Sequence, residues 1–416
     1  MTAWYGRAFL LWLVVACVPP VFQVWRGRTM FTSLATERWR EDCDRVLIYE
    51  GLQKPDFVEW IMGRWVGQVP FWRPVTSFLF YGQYRVFGWQ RQDLWSFVNA
   101  CAFAIDAVLL FVLMSELSSR PWVGALAVWV AFGPVPQIFG WTVVRTHVAG
   151  STLTAWKNQP DTFLAAAALL SCTLAARGSP WWIAPAVIGA GLKESGFAIF
   201  PMAVLLWWWR FRSLRWHLWV GCALALLLFV HRWHAVGPGY ILGSNRHVIY
   251  RMALKLLPYP LVVVSSPVGP FAVLGMAAAA AVLDRRRWLC WIAAGPVVSF
   301  LLNWAWFRQL GFDDPAVAIA GLIDMRLWTV GFPMFLWLWI AVRGWSRLLL
   351  PWATGYVLFA LPCTMAPQVL DHAYHTAELF AAGCVAQALS TAAARPLDDM
   401  TPERLGLRRV QVTVGR

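Results

Sequence analysis

Long apolar runs separated by short polar ones dominate the chain after residue 90. The runs at 94–115, 121–141, 160–177, 214–233, 256–283, 288–306, 326–342, 347–366 and 372–394 each predict a helix. Their lengths suit a bilayer core, which needs about 20 apolar residues per crossing. An earlier run, 8–25, follows Arg7. Val14-Val15-Ala16-Cys17 fits a lipoprotein cleavage pattern, but the run continues through Pro19, Pro20, Val21 and Phe22. It therefore predicts an uncleaved first helix. Two further runs, 181–192 and 195–209, are too short for full crossings and predict a broken pair meeting inside the membrane. Such breaks are tolerated where backbone lines a protein cavity.

Between the first helix and the clear spans lies a polar stretch, 26–72, holding Glu37, Glu41, Asp42, Asp44, Glu50, Asp56 and Glu59 among several Arg. Residues 73–89 are aromatic and moderately apolar with Gln83, Tyr84 and Arg85 inside, which predicts an interfacial helix. The fold class expected is all-α: a polytopic membrane protein of about 12 transmembrane helices with a large first external loop containing interfacial helices. It forms one transmembrane domain over 1–394, with the external acidic loop at 26–93 and a basic cytoplasmic tail over 395–416.

Composition supports this. Hydrophobic residues make up 59% of the chain and charged residues 13%, too few polar side chains to coat a soluble globule of 416 residues. That excludes an ordinary cytosolic enzyme, a disordered chain and a disulfide-stapled secreted domain. The 30 Trp fit interfacial belts, and the net charge of +14 comes almost wholly from Arg. In a membrane protein that charge reflects cytoplasmic loops and lipid phosphates rather than nucleic acid. The eight Cys, at 17, 43, 101, 172, 222, 290, 363 and 384, show no CxxC spacing and read as buried thiols, Cys43 excepted.

With the amino terminus in the cytoplasm, Arg120, Arg177, the Arg210/Arg212/Arg215 cluster, Arg285-Arg286-Arg287, Arg343, Arg347 and the tail all fall inside, as the positive-inside rule requires. The opposite face, periplasmic in a bacterial inner membrane, then collects the acidic loop, Lys157, Asn158, Asp161, Lys193, Glu194, His234, Asn245, Arg246, His247, Asp313, Asp314, Asp324, Arg326, Asp371 and His372. This asymmetry places binding or chemistry at the external membrane boundary.

Four segments stand in a telling order. They are Glu41-Asp42-Cys43-Asp44 after the first helix; Phe71-Trp72-Arg73-Pro74-Val75-Thr76, opening a helix that ends at Phe87-Gly88 and is followed by Asn99; Gln159-Pro160-Asp161-Thr162-Phe163-Leu164 with Leu192-Lys193-Glu194-Ser195-Gly196 and Phe200-Pro201; and Asp371-His372-Ala373-Tyr374. This ordered set, from about residue 8 to 394, resembles the GT-C glycosyltransferase superfamily, especially its protein O-mannosyltransferase-like branch. It departs from that pattern in two places. His372 stands where an Arg is typical, and the acidic motif is Glu-Asp-x-Asp rather than an adjacent Asp pair.

The resemblance implies transfer of a sugar from a polyprenyl-phosphate carrier to a hydroxyl on a protein, lipid or glycan. A carboxylate must take the acceptor proton, and cations must stabilise the departing phosphate. Asp42 and Asp44 are the candidate catalytic residues, lying on one face of an extended segment but roughly 200° apart on a helix. The alternative for both is a solvated loop paired with Arg38, Arg40 and Arg45. Arg73, Lys193, Glu194, Arg246, His372 and Asp161 are the candidate substrate-binding residues. Arg73 precedes Pro74, which holds it extended, and either binds phosphate bidentately or pairs with Asp56 or Glu59. The Lys193-Glu194 step within apolar sequence is either functional or an ion pair closing the helix break.

His372-x-x-His375, with Asp371 beside it, also matches a zinc or manganese spacing, as does His231-x-x-His234; no cofactor is required by the reading. No Walker loop, strand–GxGxxG–helix unit, GxSxG motif or internal repeat is present, and Gly237-Pro238-Gly239 reads as a loop bend. The expected function is thus a membrane glycosyltransferase working at the external face, with the lipid bilayer and the carrier as partners. The alternatives are a polyisoprenoid or lipid flippase and a non-catalytic subunit of an envelope assembly complex.

Overall fold

The computed structural model describes residues 7–21, 43–53, 56–63, 71–132, 158–237, 346–364 and 375–393. Every element among them is helical: α1 (Arg7–Val21), α2 (Cys43–Leu52), α3 (Phe57–Met62), α4 (Pro74–Phe87), α5 (Gln92–Ser118), α6 (Pro121–Phe132), α7 (Gln159–Ala176), α8 (Ile183–Leu192), α9 (Ile199–Phe211), α10 (Trp216–Val236), α11 (Leu350–Thr364) and α12 (His375–Ala393). Of these, α5 and α10 are long and apolar enough to cross a membrane. The spans expected at 256–283, 288–306 and 326–342 lie outside the described residues.

The core is a helix bundle in which α5 packs on α6 and α7, α7 on α8 and α9, and α12 on α6, α7 and α11. Small residues line these seams. Ala165, Ala168, Ala175 and Ala176 on α7 and Ala377, Ala381, Ala382 and Ala386 on α12 are all buried. Small side chains let the helix backbones approach closely, so van der Waals contact along the seams is dense. Bulk comes from Phe103, Phe111, Phe132, Trp182, Trp207, Trp352 and Phe380. The Cys expectation holds for Cys172 and Cys384, which are buried, but Cys101 and Cys222 are exposed on helix faces turned away from the described core.

The described part of the 26–93 stretch is more structured than its polarity suggests. Ile48, Leu52, Trp60, Phe80 and Trp95 form a second, smaller core, ringed by Phe57, Tyr81, Tyr84, Phe87 and Trp89. Asp56 starts α3 by accepting the Glu59 backbone N–H at 3.0 Å, an N-cap that satisfies an otherwise orphaned donor. Gln53 Nε2 donates to the Tyr84 hydroxyl at 3.2 Å, tying α2 to α4. The predicted interfacial helix is α4, and its buried Thr76, Ser77, Phe80 and Gln83 face the bundle.

Candidate functional site

The helix pair at 181–211 is broken as its length demanded. Lys193 is extended (φ −158°, ψ 157°) and ends α8; a 3-10 turn, Glu194–Ala198, then leads into α9. Gly196 makes the turn fit, because a Cβ there would sit 1.9 Å from the Gly189 carbonyl oxygen. The free carbonyl of Leu192, an orphan of the α8 terminus, accepts the Thr76 hydroxyl of α4 at 2.6 Å. The break and the amino-terminal end of α4 are thereby held together.

Four of the expected binding residues converge here. Arg73 caps α4 ahead of Pro74 and lies 4.1 Å over the Phe71 ring. Its Nη2 donates to Glu194 Oε2 at 2.8 Å, and its Nε donates to both carboxylate oxygens at 3.3 Å. The two side chains are 15% and 17% exposed. Lys193 donates to Asp161 Oδ1. Asp161 stands in the first turn of α7 behind Pro160, where the helix dipole favours a negative charge. Two sequence expectations are corrected. Arg73 pairs with neither Asp56 nor Glu59, since Asp56 is engaged in capping α3. Lys193 and Glu194 do not close on each other, because an extended residue between two helices sends neighbouring side chains apart.

Beside these pairs runs a buried polar layer. Gln83 and Gln159 exchange amide hydrogen bonds at 2.6 and 2.9 Å, and Gln159 also donates to the Trp95 carbonyl at 2.7 Å. The Thr162 hydroxyl donates to Asn99. Every member is buried, and the layer fixes α4, α5 and α7 in register around Asp161.

The sequence reading missed Arg232. It sits near the end of α10, 4% exposed, its Nε without a hydrogen-bond partner, and it attracts Glu194 electrostatically. Three cations (Arg73, Lys193, Arg232) therefore meet two carboxylates (Asp161, Glu194) among the described residues. Among the described residues the cations thus outnumber the carboxylates by one in a largely buried place, where ions need compensation. Ser77 and Ser195 add buried hydroxyls without hydrogen-bond partners. Such a place suits an anion. On the same helix, His231 meets the Trp72 ring edge-on at 5.3 Å.

Opposite charges mark the far end of the bundle, where Arg177 binds Glu116 at 2.8 Å and Arg210 donates to the Glu116 carbonyl at 3.4 Å. Along α7, Asp161 and Arg177 lie roughly 24 Å apart at about 1.5 Å per residue. Between the ends, Asp106 in α5 and His375 at the start of α12 are both fully buried and hydrogen-bonded at 2.9 Å. His375, half of the HxxH spacing, is thus engaged by a carboxylate.

Asp44 lies in the first turn of α2. Asp42, Arg246 and His372 fall outside the described residues, as does Asp371. No group of three His, Cys, Asp or Glu suited to a metal occurs among the described residues. Comparison with family models, with curated proteins and with solved structures finds no match.

Proposed function

We propose that this chain is a multi-pass inner-membrane glycosyltransferase of about 12 helices that takes a sugar from a polyprenyl-phosphate carrier at the external face. The supporting observation is the gathering of cations at the helix break: buried Arg232 joins Arg73 and Lys193 around Asp161 and Glu194, the carboxylates that face them among the described residues. A lipid phosphate supplies the missing negative charge, and its isoprenoid tail lies along the membrane-facing helices. The acceptor hydroxyl oxygen attacks the anomeric carbon, its proton passes to Asp42 or Asp44, and the bond to the phosphate oxygen breaks. The leaving phosphate keeps the electron pair, and the cations stabilise it more than the bound donor, which is what accelerates the step. No metal enters this scheme.

One observation favours a second reading. An ionisable pair buried at membrane depth, as Asp106–His375 is, often marks a proton route in transporters, so a polyisoprenoid flippase is the rival.

The test is transfer of radiolabelled sugar from a panel of synthetic polyprenyl-phosphate sugars by the purified protein, with a cell-envelope extract as acceptor. Asp42→Asn, Asp44→Asn and Arg232→Leu run in parallel. The transferase reading expects turnover by wild type, its loss with carrier binding retained in one Asp variant, and lost binding in Arg232→Leu. Carrier binding without transfer from any donor, unchanged in both Asp variants, overturns it in favour of the flippase or a non-catalytic subunit.

A further inference from the structure

A separate polar cluster lies at the other end of α9 and α10, away from the helix break and independent of the reading given for it. The chain leaves α9 through Arg212, which adopts a left-handed conformation (φ 51°) unusual for a residue with a Cβ. The turn is held by the Trp207 indole, which donates to the Ser213 carbonyl at 3.1 Å. Arg212 stacks over Trp208 at 4.7 Å, and Arg215, the cap residue of α10, lies over Trp207 at 5.6 Å. Arg177 and Arg210 at this end are engaged by Glu116; Arg212 and Arg215 have no carboxylate partner among the described residues.

The second observation is His217, in the first turn of α10. It is 3% exposed and packs on the same Trp207 ring at 4.3 Å. Trp182 donates its indole N–H to His217 Nδ1 at 3.1 Å. An indole nitrogen is a donor only, so Nδ1 carries a lone pair and the ring proton sits on Nε2. Trp182 cannot turn away to change this. It is fully buried, a Cβ on Gly221 would lie 2.3 Å from its ring, and its carbonyl accepts the Ser171 hydroxyl. His217 Nε2 is therefore a buried donor, and it has no hydrogen-bond partner. A donor in that position calls for an acceptor. Arg215 stands over the Trp207 ring on which His217 packs, and Arg212 over the neighbouring Trp208, so the acceptor is an anion. Largely exposed Trp181, Trp216, Trp219 and Leu214 flank the cluster, a composition suited to the headgroup level of a bilayer.

We infer that Arg212, Arg215 and His217 form a binding site for the phosphate of an anionic phospholipid headgroup. The guanidinium groups bind the phosphate oxygens, the His217 Nε2–H donates to one of them, and the exposed indoles lie among the upper acyl chains. Phosphate is the shared chemistry of a lipid and a free ion; the apolar rim favours the lipid.

The test is native mass spectrometry of the full-length protein released from micelles containing phosphatidylglycerol or phosphatidylcholine, with Arg215→Gln, His217→Phe and, as a control on α4, Arg85→Gln. Wild type is expected to retain phosphatidylglycerol over phosphatidylcholine. Arg215→Gln should lower that retention by roughly tenfold to a hundredfold, the size of one charge-assisted hydrogen bond, and Arg85→Gln should leave it unchanged. Arg215 is exposed, so its replacement threatens the fold little; His217→Phe keeps the ring contact but removes both the Nε2 donor and the acceptor of the Trp182 indole, and should also lower retention. Equal retention of the two lipids, or equal losses in Arg215→Gln and Arg85→Gln, overturns the inference. Displacement of bound lipid by inorganic phosphate alone overturns the lipid assignment in favour of a free-anion site.

Discussion

Glu194 and Arg232 attract each other, yet removing one should do the opposite of removing the other. Glu194 accepts three hydrogen bonds from Arg73 and is attracted to Arg232 as well. Glu194→Gln removes the carboxylate that both guanidinium groups face, in a place where the Arg73 side chain is only 15% exposed. Breaking a buried pair from one side costs about 3–5 kcal/mol, and the residual exposure puts the expected loss near the lower end, about 3 kcal/mol. Arg232→Leu removes the cation that is in excess among the described residues and leaves the bidentate Arg73–Glu194 pair whole. It loses an attraction to Glu194 but also the desolvation cost of a guanidinium whose Nε is unpartnered. The expected change runs from zero to a gain of about 2 kcal/mol. The assay is reversible unfolding of purified protein in mixed micelles. Polyprenyl phosphate at about a hundred times its dissociation constant should then stabilise wild type by about 2.7 kcal/mol and Arg232→Leu by nearly nothing. A loss of about 3 kcal/mol in Arg232→Leu without ligand would make Arg232 a structural member of the network and refute the surplus-charge argument.

Three further outcomes follow from the geometry. Asp106→Leu and His375→Leu should each cost about 3 kcal/mol, and the double variant much less than their sum, because the apolar pair leaves no lone charge in the core; the same unfolding assay measures the coupling, and additive losses would show that the 2.9 Å contact carries no interaction. Gly196→Ala should destabilise by about 1–3 kcal/mol and weaken carrier binding, since its Cβ meets a backbone carbonyl rather than a movable side chain. Gly82→Ala, in the middle of α4 with nothing within 4 Å of the new Cβ, should instead gain up to about 1 kcal/mol, which a rise in thermal midpoint would register. Lys193→Met should cost about 3 kcal/mol by leaving Asp161 buried without its Lys, and adding Asp161→Leu should recover much of it; no recovery would mean that Asp161 is held mainly by other contacts.

How much of this was legible in the sequence depends on the range of the force involved. The edges of α5 and α7 fall within about three residues of the apolar runs, because a helix ends where its apolar run gives way to Pro, charge or a cap, which is a local signal. The break at Lys193 was visible for the same reason: two charges inside an apolar run, each half too short. Partners were another matter. Asp56 and Glu59 looked right for Arg73 by nearness, but an N-cap is decided locally and claims Asp56 first, while the register of α4 on the break is set by contacts such as Thr76 to Leu192 that spacing does not encode. Arg232 was passed over within a helix apolar all round. The buried positions Leu218, Gly221, Arg232 and Val236, with the partly buried Ala225 and Leu228 between them, follow a helical stripe, and the small residues at 221 and 225 mark it as the packing face; that stripe was the available signal. Asp106 carried an even plainer one, a lone carboxylate midway along an apolar span. Such a charge requires a partner, but only the assembled bundle picks His375, 269 residues away. A buried charge in the sequence thus announces that a bond exists; which residue completes it is decided by packing between helices that share no local pattern.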